Sequence, residues 1–390
     1  RNRGHGKARS GLNFYTLGTG SMFDYTKTVV GLDVHKESIV AAVLPPNSDT
    51  VTLTTKFENT PTALKAFVER LHSRGPLTFV YEAGPCGYQV HRDLTAQGQE
   101  CVVIAPGLIP KRPGDKVKTD RRDAEKLAQL HRAGQLTAVN VPTREDEADR
   151  DLVRAREDVL SERLRSRLRL GQFLLRHGLV WRTTQAWGVR HRAWMKALRF
   201  ELASETRTFE SYLRGMEEIE ARLNGLDHAV MALGETTTWK TLVANLRCLK
   251  GVETLSAVTL AVEVRDFRRF PSAREFMGYT GLVSREHSSG ESVQRGRITK
   301  VGNAHVRRAL VEAAWSYGLP DRTGAPLIKR REGGSPEALS TARRAQERLC
   351  RKFRKMVGRG KPRQKAVVAV SRELAGFVWS IGRLSQEVRG

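Results

Sequence analysis

The chain has 390 residues, enough for two or three domains that each bury a core. Its 67 Lys and Arg against 42 Asp and Glu leave a formal charge of +25, which favours a polyanionic partner without specifying a fold. No apolar run reaches the ~18 residues of a membrane span and no secretory signal is visible. The four cysteines (Cys86, Cys101, Cys248, Cys350) form no C-x-x-C pair, which speaks against a disulfide framework or zinc ribbon and for a reducing compartment.

Residues 1–21 are basic, Gly-rich and aperiodic. Gly18-Thr19-Gly20-Ser21 before Met22 reads as an expression-vector junction, a native disordered arm being the other reading. Thr28–Val34 and Ser38–Leu44 are apolar and β-branched, as expected of two strands joined by a tight turn, and Val51–Phe57 alternates as a third. Thr60-Pro61 supplies an N-cap and a first-turn proline for a helix to about Ser73. A strand over Thr78–Glu82, a helix over about Gly87–Gln97, a strand over Cys101–Ala105 and a helix over Thr119–Ala133 follow. Three consecutive strands and then alternating helices and strands predict an α/β domain of ribonuclease H-like type.

From Arg144 to about Leu233 the pattern becomes long charged helices. Phe209, Tyr212, Met216, Ile219, Leu223, Leu226, Val230 and Leu233 alternate in steps of three and four, a coiled-coil seam. Val153, Leu160, Leu164, Leu168 and Leu175 suggest a second seam. Intermolecular pairing is the favoured expectation, and an antiparallel hairpin within the chain the alternative. Residues 241–318 read as a small, mainly helical domain with a Ser/Gly/Arg-rich loop at 284–299. Lys250-Gly251-Val252-Glu253-Thr254 resembles a helix-hairpin-helix, against a plain helical turn. Residues 320–390 carry 18 Lys/Arg against 6 Asp/Glu, with a phosphate-facing patch expected at Arg351, Lys352, Arg354 and Lys355. Ala366–Ile381 is expected to dock back on a core.

Asp33 lies inside an apolar strand, Glu82 ends another, and Asp120 and Asp123, three apart, share a helix face. Brought together unpaired, four carboxylates repel. Mg²⁺, with Mn²⁺ as the substitute ion, removes that cost and bridges to phosphate oxygens. Downstream, Ser288-Ser289-Gly290 sits in a basic segment with Arg295, Arg297, Lys300, Arg307 and Arg308. A serine there can attack phosphorus with cationic support, or the segment can be a flexible phosphate-contacting loop.

Four motifs give a family resemblance from about Val29 to Gly318, with a weaker echo in the C-terminal helix: Gly31-Leu32-Asp33-Val34-His35-Lys36, Tyr81-Glu82-Ala83, Lys118-Thr119-Asp120-Arg121-Arg122-Asp123-Ala124 and the block Gly281–Leu310. The chain resembles the DEDD-type insertion-sequence transposases, also called bridge recombinases. The resemblance implies a RuvC-like domain at 27–143 with Asp33, Glu82, Asp120 and Asp123 on Mg²⁺, after an arm at 1–26. It implies a coiled-coil segment at 144–238 that assembles subunits as a dimer or dimer of dimers, a transposase domain at 239–318, and a basic extension at 319–390. It places the nucleophile at Ser289, with Ser288 the neighbouring alternative. Donor and target duplex DNA and a noncoding bridge RNA are the implied partners, with no membrane and a bacterial-type cytoplasmic, nucleoid-associated location. Lys118, Arg121 and Arg122 join the basic residues above as expected nucleic-acid contacts. Rival expectations are a metal-dependent nuclease or junction resolvase using water, and a non-catalytic RNA- or DNA-binding protein.

Overall fold

The computed structural model describes residues 26–110, 119–183, 185–289 and 292–387. The chain divides into two compact units, one up to Pro142 and one from Thr143.

The first unit is a five-stranded mixed sheet. β1 (Thr28–Val34), β2 (Ser38–Leu44) and β3 (Leu53–Glu58) form an antiparallel meander, and β4 (Leu77–Glu82) and β5 (Glu100–Ile104) continue parallel to β1, in the order β3-β2-β1-β4-β5. The alternation of the strands explains the layering. Val30, Leu32, Ile39, Val43, Phe79 and Tyr81 point to one face and are covered by α1 (Pro61–Arg70) and α2 (Gln89–Ala96) through Leu64, Phe67, Val90 and Leu94. Val29, Leu44 and Val80 point to the other face, under Leu127 and Ala128 of α3 (Asp120–Arg132). Thr60 and Thr119 cap α1 and α3 by accepting from Ala63 N and Arg122 N. The mixed α/β unit is consistent with the expected ribonuclease H-like plan.

The second unit is predominantly helical. α4 (Arg144–Arg176) starts from a Thr143–Asp146 capping box. α5 (Val189–Ala197) lies at its far end, and α6 (Ala203–Gly234) returns antiparallel along it: Arg156 meets Asp227 at 2.5 Å, Arg222 meets Glu162 at 3.3 Å, and Arg167 meets Glu220. Phe209, Met216, Leu223 and Val230 of the predicted seam are buried, so the seam on α6 is used inside the chain, which is the antiparallel-hairpin alternative. The seam expected on α4 needs correction. Val153 is buried, but Leu164, Leu168 and Leu175 are 60%, 57% and 56% exposed; Val159, Leu170, Phe173 and Leu174 are buried instead. The side of α4 that α6 covers, rather than apolar spacing alone, selects the buried row.

A core of α7 (Lys240–Leu246), α8 (Thr254–Val264), α9 (Ala273–Tyr279) and α10 (Ala304–Ala314) follows, with a short α11 (Ala325–Arg331). α12 (Pro336–Gly358) and α13 (Arg363–Glu387) complete it. The apolar stretch expected to dock does so: Ala366, Val370, Leu374, Val378 and Ile381 are fully buried, and Trp379 Nε1 donates to the Phe270 carbonyl at 3.0 Å. Within residues 284–299, expected as a loop, β6 (Ser284–Ser289) and β7 (Ser292–Ile298) pair antiparallel, with Ser288 opposite Val293 and Ser289 opposite Ser292. The segment's polar, glycine-punctuated sequence hides the strands because no apolar face alternates along them. Among the described residues no helix is long and apolar enough to cross a membrane, and the four cysteines are free.

Candidate active site

The acidic residues of the first unit converge because of strand register. β1 and β4 run parallel with Leu32 beside Tyr81. The next residue on each strand, Asp33 and Glu82, therefore emerges at the same sheet end, on the face that carries Val29 and Val80. That face is covered by α3, whose first turn brings in Asp120 and Asp123. Asp33, His35, Glu82 and Asp123 line one cleft, together with Arg122, Glu125 and Lys126. Asp33 Oδ2 lies 3.2 Å from His35 Nε2, which lies 3.5 Å from Asp120 Oδ1. Donor atoms of these three side chains all fall within 4.8 Å of one another.

Partial burial raises the Asp33 carboxyl above its ordinary value. The His35 imidazole pulls the other way, and the charges of Asp120 and Asp123 push it further up. Such an assembly of acids is unfavourable on its own and is relieved by a divalent cation, so the side chains present fit a metal. Of the four carboxylates expected to hold it, Asp33 and Asp120 fall in the group within ligand distance of one another, whereas Glu82 and Asp123 share the cleft with Asp33 but lie outside that group.

His35 is the member that sequence reasoning missed. Its signal was legible: in an extended strand end, Asp33 and His35 two residues apart share a side. The basic neighbours divide. Arg122 faces the cleft, whereas Arg121 is exposed and donates to Glu125 at 2.8 Å. Lys118 lies outside the described residues.

In the second unit, Ser289 is exposed at the end of β6. The side chains of Ser288 and Arg295 lie outside the described residues, as does Gly290. The hairpin is rooted on a buried polar cluster. Glu263 of α8 has no exposed side-chain surface and receives two hydrogen bonds from Arg154, at 2.7 and 3.0 Å, and one from Asn303 Nδ2 at 2.7 Å. Burial pushes the Glu263 carboxyl up, but these donors and the nearby charges of Arg154 and Arg150 outweigh it and hold the group below its ordinary value. Tyr279, at the end of α9, donates to the Glu263 carbonyl at 3.2 Å, and its own carbonyl accepts from Asn303 N at 2.9 Å. Between them Gly302 adopts φ +105°, and a Cβ there would stand 2.1 Å from the Tyr279 carbonyl oxygen. The two ends of the hairpin segment are thus tied together: Lys300 N donates to the Gly281 carbonyl at 3.1 Å.

The expected nucleic-acid contacts are not equivalent. Arg297, Lys300, Arg351, Arg354 and Lys355 are exposed. Arg307 is instead turned inward, donating to the Thr280 carbonyl at 2.9 Å. Arg308 lies 3.4 Å from the buried Glu157, which also pairs with His305. Lys352 is engaged by Glu373 at 2.5 Å, with Arg348 on the same carboxylate. At the predicted helix-hairpin-helix, Lys250 is buried and donates to the Pro320 carbonyl at 2.7 Å, so this lysine serves the chain's own packing as in a plain helical turn.

Comparison with known proteins joins the two units. A family model described as a transposase of the DEDD IS110 type matches residues 30–178, and one described as the IS116/IS110/IS902 family matches residues 243–318. A putative transposase, y4qE, of Sinorhizobium fredii is 38% identical over 95% of this chain and 92% of its own length. The transposase for insertion sequence element IS1533 of Leptospira borgpetersenii is 34% identical over 85% of this chain and 96% of its own length. With the acidic cluster lying inside the first match and Ser289 inside the second, the chain belongs to the IS116/IS110/IS902 family of transposases, enzymes that cleave and transfer DNA.

Proposed function

We propose that this transposase is an RNA-guided DNA recombinase that cuts and rejoins DNA through a phosphoserine intermediate. The observation that carries the reading is the convergence of Asp33, Glu82 and the first turn of α3 on one sheet end, in a chain whose relatives are transposases. Asp33, Glu82, Asp120 and Asp123 would hold Mg²⁺, with Mn²⁺ able to replace it, and a bound ion would supply charge neutralisation at the scissile phosphate.

Ser289 attacks phosphorus with its Oγ. The P–O bond to the departing DNA oxygen breaks, that oxygen takes up a proton as Oγ loses its own, and a serine–DNA ester remains. A DNA hydroxyl from the second duplex then displaces the serine, so no phosphodiester energy is lost. Support for the serine is its exposed position on a hairpin anchored by a buried network. Arg297 and Lys300 on the same segment, and Arg351, Arg354 and Lys355 on α12, supply phosphate contacts to donor DNA, target DNA or a noncoding bridge RNA encoded with the element. The exposed Leu164, Leu168 and Leu175 row supports assembly as a homo-oligomer.

The test is a denaturing-gel assay for a protein–DNA adduct, using purified protein, guide RNA and labelled duplexes. Ser289→Ala is expected to abolish the adduct and leave nucleic-acid binding intact. Undiminished strand cleavage by Ser289→Ala, with no adduct at any time, would replace the serine mechanism by water attack at the carboxylates.

A further inference from the structure

The carboxylates of the first unit have a neighbour of different chemistry. His35 follows Asp33 by two residues at the exit of β1, and its backbone is fixed: His35 N donates to the Ser38 carbonyl at 2.9 Å, and its own carbonyl accepts from Asn59 Nδ2 at 2.8 Å. This anchoring at the β1–β2 turn holds the imidazole beside α3. Nε2 stands between two carboxylates on different elements, 3.2 Å from Asp33 Oδ2 and 3.5 Å from Asp120 Oδ1.

Those separations match the spacing of ligands around one ion. Nitrogen and oxygen donors bind first-row divalent cations at about 2.0–2.2 Å, which puts adjacent ligands about 3.0–3.5 Å apart in octahedral or tetrahedral arrangements. Donor atoms of His35, Asp33 and Asp120 also lie within 4.8 Å of one another, close enough to share one ion. The side chains are also open to solvent, His35 being 51% and Asp120 53% exposed, so an ion can enter without unfolding the site.

We propose that His35 Nε2 is a direct ligand of the divalent cation held by Asp33 and Asp120, giving that position a mixed nitrogen–oxygen donor set. This rests on the metal reading above and adds to it a determinant of metal choice. A nitrogen ligand does little for Mg²⁺, which prefers oxygen and water, but favours Mn²⁺ and later first-row ions. Coordination uses the Nε2 lone pair, which leaves the ring proton on Nδ1.

The experiment is pulsed electron paramagnetic resonance of Mn²⁺ bound to the whole chain without DNA, with calorimetric titration by Mn²⁺ and Mg²⁺. The proposal expects ¹⁴N modulation from a directly bound nitrogen in the wild type, its loss in His35→Gln, and a fall in the Mn²⁺-over-Mg²⁺ affinity ratio on the order of tenfold in that variant. Mn²⁺ that binds, is released by Asp33→Asn and shows no ¹⁴N modulation would overturn the proposal and leave the carboxylate site standing. Modulation that persists in His35→Gln would assign the nitrogen elsewhere and overturn it as well. If no bound Mn²⁺ is sensitive to Asp33→Asn, the proposal and the metal reading fall together. The wild-type spectrum decides the first point even if a variant folds poorly.

Discussion

Gly31 of β1 and Ala124 of α3 approach so closely that a Cβ on the glycine would stand 2.1 Å from the Ala124 carbonyl oxygen and 2.8 Å from Ala128 N. Both obstructions are helix backbone, which cannot rotate away. Gly31 shares a strand face with Asp33, and Ala124 adjoins Asp123, so the contact that seats α3 on the sheet also sets the separation of the acidic residues.

Gly31→Ala is therefore expected to push α3 outward, at a cost of at least about 1–3 kcal/mol from overpacking. Because Asp120 and Asp123 ride on the first turn of that helix, Mn²⁺ affinity falls more than the melting temperature alone would suggest. Calorimetric metal titration of variant that remains folded, beside its thermal melt, checks the result; unchanged metal affinity would show that the contact does not set the acid spacing.

The raised Asp33 carboxyl has a consequence for stability. A group whose ionised form is disfavoured by folding destabilises the metal-free protein at neutral pH. Asp33→Asn is expected to leave the metal-free melting temperature the same or higher, while eliminating the stabilisation that wild type gains on adding Mg²⁺. Thermal melts with Mg²⁺ and with chelator give all four values.

Glu263 behaves oppositely. Its folded pKa lies below the ordinary carboxylate value, so its stabilising contribution is complete above the unfolded pKa and is lost as pH falls through the folded one. Glu263→Gln strands Arg154 and Arg150 without their counter-charge and is expected to cost about 3 kcal/mol at neutral pH. The gap between wild type and variant should narrow on acidification below the ordinary carboxylate range. Urea melts across that range measure it, and a gap independent of pH would argue that the carboxylate is not ionised in the fold.

The exposed leucine row on α4 permits a separation of folding from assembly. Leu164 and Leu168 are both more than half exposed, so in Leu164→Glu with Leu168→Glu stability should change by no more than about 0.5 kcal/mol per site. Sedimentation velocity should show a shift toward smaller species. Unaltered association would place the subunit contact elsewhere.

What the residues determined by themselves was local. Alternating apolar positions gave the strands of the first unit, Thr60 and Thr119 marked helix starts, and the motifs around Asp33, Glu82 and Asp120 pointed to metal chemistry and to the family. Period and capping depend on neighbours within a few residues, which is why they could be read along the chain. Tertiary structure decided the rest. The partner of the α6 seam, and the outward turn of Leu164, Leu168 and Leu175, depend on which helix packs alongside. The inward turn of Arg307 and Lys250 depends on carbonyls far along the chain. The polar hairpin bearing Ser289 has no apolar rhythm to announce it, and His35 meets Asp120 only because a glycine two residues before Asp33 lets a distant helix come to rest against the strand.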